Sequence, residues 1–260
     1  MVEAEHNTIV TGSKNKNREV VASLRNIHKS FGDQHVLRGV DMDLYAKENL
    51  VILGKSGTGK SVLIKCMIGL LTPDEGKINV LGYDVPNLDD EELDDYRSEV
   101  GFSFQGSALY DAMTIRENLE FPLKRNLKIT DQKKLDERVV TALREVGLED
   151  AINKMPSEIS GGMKKRIGIA RTLILKPKIT LYDEPTAGLD PVTATEINEL
   201  ILEMRDKHKM ASIIITHDIS SARATADRII ALFDGKNELE GTFEELKAKN
   251  DERLAPFFQY

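Results

Sequence analysis

The sequence is poor in cysteine and lacks both long apolar runs and an excess of basic residues. With one cysteine, Cys66, it offers no pair for a disulfide. This excludes a disulfide scaffold and favours a buried thiol in a reducing compartment. A bilayer span needs about 20 mostly apolar residues. The longest apolar runs, residues 62–71 and 167–175, are shorter and each contains a basic residue, so no membrane-crossing segment is expected.

Acidic residues outnumber basic ones. The chain has 36 Lys plus Arg against 43 Asp plus Glu, a net charge of −7. A surface of this sign repels phosphate backbones, which argues against a nucleic-acid partner. Residues 1–18 are polar and contain no apolar stretch of a secretory signal, so we expect a flexible N-terminal tail there. The length of 260 residues, 40% of them apolar, suits one large domain.

Short apolar segments alternate with helical ones, which predicts an α/β fold. Strands are predicted at residues 20–27, 40–44, 50–53, 77–81, 179–182, 211–216 and 228–233. Helices are predicted to begin near residues 60, 89, 131, 190 and 242. Strand signals fade between residues 106 and 159, where helical periodicity indicates a lobe inserted into the core.

A phosphate-binding loop is the first motif with a definite chemistry. Residues 54–61 match the pattern GxxxxGK[ST] between an apolar strand and a helix, with the members Gly54, Lys55, Ser56, Gly57, Thr58, Gly59, Lys60 and Ser61. The glycines let backbone N–H groups point at phosphate oxygens, and the following helix adds its positive dipole end. Lys60 is predicted to reach the β- and γ-phosphates, and the Ser61 hydroxyl to bind Mg²⁺.

Two acids follow a second apolar strand. Next to a nucleotide, Asp183 would orient Mg²⁺, through a water, and Glu184 would act as general base toward the attacking water. Taken alone, the pair is equally typical of a solvated strand end. The phosphate loop favours the catalytic interpretation.

One further motif shows a family resemblance. Ile159-Ser160-Gly161-Gly162-Met163, followed by Lys164-Lys165-Arg166, resembles the LSGGQ-type signature of ABC transporter nucleotide-binding subunits, with Ile for Leu and Met for Gln. Other elements of that family appear in order: Gln105 matches the Q-loop, Asp190 closes a D-loop at 187–190, and His217 matches the switch histidine. Phe31 stands where the family has an aromatic residue that stacks on adenine.

The resemblance implies a fold and a site. The fold would be a P-loop NTPase, with a RecA-like core, an antiparallel β subdomain and an inserted α-helical lobe. ATP would contact Phe31, the phosphate loop and Val62. Lys60, Gln105, Glu184 and His217 would be catalytic, and Mg²⁺ would meet Ser61, Gln105 and Asp183. A second copy would supply Ser160, Gly161, Gly162 and Met163 to each ATP in trans, with Asp190 at the D-loop.

The expected domain layout follows the same frame. Residues 19–250 form one ATPase domain, with the core at about 19–105 and 170–250 and the helical lobe at about 106–169. Residues 251–260 form a C-terminal tail. Three aromatic residues lie in its last four positions, and we expect them to be exposed and to dock, with the second copy as one possible partner.

Two stretches point to a subgroup. Residues 105–115 and 117–123, with the Met163 signature, are similar to the Mla-type ATPases that drive phospholipid movement between membranes. This implies a polytopic permease, an MCE-domain lipid-binding protein and, in some systems, a STAS-domain protein. The chain would then lie at the cytoplasmic face of the inner membrane, bound through the permease. An FtsE-like ATPase, a small-molecule importer, a non-transport ABC protein and another P-loop kinase or GTPase remain the alternatives.

Overall fold

The computed structural model describes residues 18–258, so the N-terminal tail, apart from its last residue, lies outside the described residues. Within that range the strands are β1 (Val20–Phe31), β2 (Gln34–Tyr45), β3 (Asn49–Leu53), β4 (Glu75–Val80), β5 (Tyr83–Asp84), β6 (Val100–Ser103), β7 (Ile179–Asp183), β8 (Ala211–Thr216), β9 (Arg228–Phe233) and β10 (Lys236–Gly241). The helices are α1 (Lys60–Met67), α2 (Asp90–Glu99), α3 (Ile115–Arg125), α4 (Gln132–Glu145), α5 (Gly161–Leu173), α6 (Pro191–His208), α7 (Ile219–Thr225), α8 (Phe243–Ala248) and α9 (Ala255–Phe258).

The central sheet places the loops that contain predicted site residues at the carboxyl ends of its strands. Its six strands run in the order β10-β9-β3-β8-β7-β6. All neighbours are parallel except the terminal pair of β10 and β9. Every residue of β3, β7 and β8 is buried, as the apolar segments predicted. Ligands of open parallel sheets bind beyond the carboxyl ends of the strands, which here are followed by Gly54, Glu184 and His217.

A second, antiparallel sheet packs against the first. It has the order β2-β1-β4-β5, and a tight turn at Gly32–Asp33 joins β1 to β2, with Phe31 opposite Gln34. Buried apolar residues from this sheet, from α1 and from the central sheet form one core cluster. The two-sheet core implied by the resemblance is therefore confirmed.

The helical lobe lies between β6 and β7 and contains α3, α4 and α5. Leu119, Leu143 and Ile167 share a second core cluster with residues of the central sheet. Each helix begins at a polar cap: Thr114 at α3, Asp131 at α4 and Ser160 at α5. The interruption of the strand pattern thus indicated this lobe correctly.

Several details differ from the sequence predictions. β1 and β2 are longer than predicted, because both continue through polar positions to the turn. The helical pattern of residues 60–71 predicts a helix that reaches Leu71, but α1 ends at Met67, and Gly69 just after it adopts a positive φ of 69°. β6, β10 and α7 were not predicted. β10 is a polar edge strand, and β6 has four residues including a glycine.

The expectation of exposed terminal aromatic residues is wrong for Phe257. Phe257 is 7% exposed and Leu254 is 1% exposed, and both pack in a core of their own chain. Phe258 contacts Phe243 with ring centroids 5.3 Å apart, and Tyr260 lies outside the described residues. Within residues 18–258, no helix is long and apolar enough to cross a bilayer.

Candidate functional site: a nucleotide-binding loop between two lobes

The phosphate loop connects β3 to α1 and requires glycine by its geometry. Gly59 has φ of 99° and lies at the start of α1, and a Cβ there would meet Leu37 at 2.9 Å and the Val36 carbonyl at 3.0 Å. A side chain would therefore be strained both by backbone conformation and by contact. The loop is fixed against β2 in a shape that turns it into the helix N-terminus.

Lys60 is buried within this loop. Its ammonium group donates to the carbonyl oxygens of Gly54 at 2.8 Å and Lys55 at 3.0 Å, and lies 3.6 Å from a Glu184 carboxylate oxygen. Burial lowers the pKa of Lys60, while the carboxylates of Glu184 and Asp183 oppose that shift. The ammonium group is thus held where the loop curls and where a phosphate would offer stronger acceptors.

Ser61 and Asp183 are brought together from α1 and β7. The Ser61 hydroxyl donates to Asp183 Oδ1 at 3.1 Å. Burial raises the pKa of Asp183, and the hydrogen bond from Ser61 acts in the opposite direction. The sequence predicted these two oxygens as neighbours of Mg²⁺, and the fold places them side by side.

The side chains of Ser61 and Asp183 have the chemistry that a magnesium ion requires. Both offer hard oxygen atoms, which Mg²⁺ prefers. Among residues 18–258 no group of three or more His, Cys, Asp and Glu side chains is arranged to hold a metal. A magnesium site at a nucleotide does not need such a cluster. Phosphate oxygens and waters supply most of the ligands of the ion, and the protein adds one or two oxygen atoms.

Glu184 follows β7 in a conformation that only a firmly held residue adopts. Its φ is 48°, in the left-handed region, which is unfavourable for a residue with a Cβ. One carboxylate oxygen lies 2.9 Å from His217 Nδ1, and the other faces Lys60. The predicted base and the predicted switch histidine are therefore in direct contact, although 33 residues separate them in the chain.

Gln105 and Phe31 lie at the rim of this centre. Gln105 is exposed in the turn after β6, and its side chain donates and accepts no hydrogen bond within the described part of the chain. Phe31 is 47% exposed at the end of β1, with the Lys29 ammonium 5.6 Å from its ring centroid. Phe31 therefore does not pack in the core, and part of its ring is accessible to a planar base.

The signature and the D-loop share a surface groove. Ser160, Gly161, Gly162 and Met163 line it from α5, and Gly188 and Asp190 line it from the start of α6. The Ser160 hydroxyl accepts from the Met163 amide at 3.3 Å, and the Asp190 carboxylate accepts from the Val192 and Thr193 amides. The lining contains no phosphate-loop residue, so the predicted residues form two separate half-sites.

Sequence reasoning assigned no role to Lys165. Its ammonium group donates to the backbone carbonyls of Gln105 and Glu184. A second residue without an assigned role, Arg166, pairs with Glu196 and joins α5 to α6. Their placement after the signature is visible in the sequence, but no pattern indicates which carbonyls a lysine will reach.

The fold and this site define a P-loop nucleotide hydrolase with an inserted helical lobe. The family model described as ABC transporter matches residues 37–187, more than half of the chain. The chain belongs to the ABC transporter family, as its ATP-binding subunit. It is an ATPase of this class and binds ATP with Mg²⁺.

Individual relatives agree on the family and differ in their names. The chain is 38% identical over 256 residues to the chloroplastic protein TRIGALACTOSYLDIACYLGLYCEROL 3 of Arabidopsis thaliana, covering 92% of this chain and 73% of that protein. It is 39% identical over 214 residues to the probable ribonucleotide transport ATP-binding protein mkl of Mycobacterium leprae, covering 82% of this chain and 61% of that protein.

A solved structure matches nearly throughout. The ATP-binding cassette MJ0796, in a dimeric post-hydrolysis state bound to ADP and Pi, superposes with a TM-score of 0.78 at 32% identity. The match covers 85% of this chain and 98% of that one. At this identity the likeness extends to the fold and to the class of site.

Proposed function

We propose that this chain forms an ATP-sandwiched homodimer that powers a membrane permease in phospholipid transport between membranes. The observation that carries the hydrolytic part is the position of Glu184. Its carboxylate is held between His217 and Lys60, beside the Ser61–Asp183 pair. A carboxylate, an ammonium group and two oxygen atoms suited to bind Mg²⁺ thus lie together at the carboxyl ends of the central strands.

Each side chain has a distinct task in the proposed hydrolysis. Glu184 accepts a proton from water as the water oxygen attacks the γ-phosphorus. The bond from the γ-phosphorus to the bridging oxygen breaks, ADP leaves with the electron pair, and inorganic phosphate forms. Lys60 balances charge on the β- and γ-phosphates. His217 fixes the Glu184 carboxylate at 2.9 Å and faces the γ-phosphate.

Ser61, Asp183 and Gln105 would hold Mg²⁺, Asp183 through a water. The ion would neutralise charge on the β- and γ-phosphates. The exposed Gln105 amide has no competing hydrogen bond within residues 18–258 and is free to turn toward it. Phe31 would stack on adenine from the open end of β1.

The two half-sites support dimer formation by a second copy. The groove of Ser160 and Asp190 contains donors and a helix N-terminus but no phosphate-loop residue. A head-to-tail second copy would place this groove over the γ-phosphate, with Ser160, Gly161 and Gly162 as an anion site in trans. The dimeric state of MJ0796 supports this arrangement.

Replacement of Glu184 tests the proposal. The Glu184→Gln variant keeps the shape of the side chain and removes the base, so ATP remains uncleaved and the dimer stays closed. We expect hydrolysis to fall by at least about 100-fold, as for loss of a general base. Size-exclusion chromatography with ATP should show a dimer. Glu199→Gln, on the exposed face of α6, is the control. A monomer that binds ATP without association would contradict the proposal.

The lipid substrate is the finer part of the proposal. The Mla-type subgroup is resembled by residues 105–115, residues 117–123 and Met163. The name of the Arabidopsis relative is in addition that of a glycolipid. An MCE-domain protein, and a STAS-domain protein in some systems, are the partners this implies, at the cytoplasmic face of the inner membrane. The name of mkl, a probable ribonucleotide transport protein, favours the alternative of a small-molecule transporter.

An affinity purification separates these readings. The chain is captured from its native membranes in mild detergent, and retained proteins and lipids are identified by mass spectrometry. A polytopic permease with an MCE-domain protein and phospholipid would support lipid transport. A permease with a solute-binding protein, or an FtsX-like membrane protein, would replace the substrate assignment and leave the ATPase unchanged.

A further inference from the structure

Lys165 has a position that the roles above do not explain. It lies on α5, five residues after Ser160, and is only partly exposed. Its ammonium group donates to the Gln105 carbonyl at 2.5 Å and to the Glu184 carbonyl at 3.2 Å. One cation on the signature helix thus touches the backbone of the Q-loop and of the proposed base.

The Glu184 backbone depends on such contacts. Its φ of 48° is unfavourable and persists only where neighbours hold it. The Glu184 amide donates to the Ile215 carbonyl at 3.0 Å, and its carbonyl accepts from the Ala187 amide at 3.1 Å. Lys165 adds a charged donor to that carbonyl, and charge-assisted hydrogen bonds are the strong ones. The direction of the Glu184 side chain follows from this backbone.

The loop after Gln105 is held by the same face of α5. Ser107 and Ala108 have φ of 62° and 46°. Arg171 donates to the Ala108 carbonyl at 2.8 Å. At Gly168 a Cβ would lie 3.1 Å from the Ser107 side chain, so the absence of a side chain permits the contact. Three residues at a spacing of three along α5 make these contacts: Lys165, Gly168 and Arg171. Of the three, Lys165 also contacts Glu184.

The placement of Lys165 is specific rather than a general feature of basic residues here. Burial lowers the pKa of Lys165, and the carboxylates of Asp183 and Glu184 oppose the shift. The neighbouring Lys164 makes no side-chain hydrogen bond or ion pair within residues 18–258. Desolvation of an ammonium group is unfavourable unless its N–H groups find acceptors, and at Lys165 two of the three N–H groups donate to backbone carbonyls.

We infer that Lys165 is a positioning residue for ATP hydrolysis, holding the backbones of Gln105 and Glu184 at a fixed separation. The same lysine makes the signature helix, with Ser160 at its N-terminus, part of the support of the base in its own chain. Contact of Ser160 with the partner's nucleotide is thereby transmitted to Glu184. This inference rests on the proposed roles of Glu184 and Gln105.

The test compares three variants of the full chain. Lys165→Met removes the donors and keeps the length of the side chain, Lys165→Arg restores donors, and Lys164→Met is the matched control. For Lys165→Met we expect kcat to fall about 10- to 100-fold, the equivalent of losing the charge-assisted hydrogen bond to the Glu184 carbonyl. The KM for ATP should stay within about threefold, because the residue does not touch nucleotide.

Two further readouts separate positioning from damage to the fold. The melting temperature of Lys165→Met should fall by no more than about 4 °C, and Lys165→Arg should regain most of the lost kcat. In a Glu184→Gln background, Lys165→Met should leave ATP-dependent dimerisation unchanged.

The inference is overturned if kcat of Lys165→Met is unchanged, if Lys164→Met lowers it equally, or if the loss appears in KM. Failure of Glu184→Gln alone to abolish hydrolysis would instead overturn the assignment of the base. The two failures are therefore distinguishable.

Discussion

At the scale of single residues, two charged side chains of the site, those of Lys60 and Glu184, are each held by a small set of contacts. Lys60 has two carbonyl acceptors and one carboxylate, and Glu184 has Lys60 and His217. These partners compensate each other's charge within the described residues, which makes the burial of both groups tolerable. An arriving phosphate would compete for Lys60 and release Glu184 toward the water.

Cys66 gives a prediction at the same scale. It is 1% exposed in α1, and burial raises its thiol pKa from 9.0 to about 11. A raised pKa favours the neutral form, so the thiol adds stability below pH 9 that is lost as the pH rises toward 11. Since the thiolate is the nucleophile, iodoacetamide should modify the folded protein far more slowly than the urea-unfolded protein at pH 8.

A cysteine-containing model peptide serves as the reference for that rate. Equal rates for the peptide and the folded chain would show that Cys66 is accessible. A rate for the folded chain that follows the fraction unfolded in urea would support the buried position.

At the scale of elements, the sequence predicted the strands that are buried on both faces, because these strands are continuous apolar runs. β3, β7 and β8 lie where apolar runs end in a glycine, an acid or a histidine. The polar edge strand β10 gave no such signal, because none of its residues is fully buried and Leu239 is its one apolar side chain. The contact between Lys165 and Gln105 spans 60 residues, and long-range contacts of this kind are not encoded in local spacing.

The C-terminal helix α9 supplies the prediction at this scale. Leu254 and Phe257 are buried in the core of their own chain. Truncation of such side chains to alanine costs about 2–5 kcal/mol in well-packed cores. We expect Leu254→Ala and Phe257→Ala each to lower the free energy of unfolding by about 2 kcal/mol, near the lower end because the short helix α9 can relax around a smaller side chain. Urea unfolding followed by circular dichroism measures it.

Glu252→Ala, at an exposed position of the same segment, should change the free energy of unfolding by less than about 0.5 kcal/mol. Unchanged stability in both core variants would mean that α9 does not stabilise its own chain. Weaker ATP-dependent association of those variants, measured separately, would support the predicted contact with the second copy.

At the scale of the whole molecule, the phosphate loop and the signature groove are separate half-sites of one chain, and the proposed dimer would bring them together from two copies. The phosphate loop lies at the carboxyl edge of the central sheet, and the signature groove lies between α5 and α6. Lys165 joins α5 to the backbone of Glu184 after β7, and the Arg166–Glu196 ion pair joins α5 to α6. In the proposed dimer, engagement of the groove by a partner's nucleotide would therefore act on the hydrolytic centre of the same chain through these contacts.

Mixing two inactive variants tests this geometry. Lys60→Ala removes the phosphate-loop cation, and Ser160→Arg blocks the signature groove, so either homodimer has two defective sites. In a mixed dimer, one site combines the intact Lys60 of one chain with the intact Ser160 of the other. Random pairing makes half of the dimers mixed, each with one repaired site of two, so hydrolysis should recover to about one quarter of the unaltered rate. A mixture as inactive as its components would contradict either the shared site or the independence of the two sites. Covalently linked tandem chains, in which both defects are placed in one copy or divided between the two, separate these explanations.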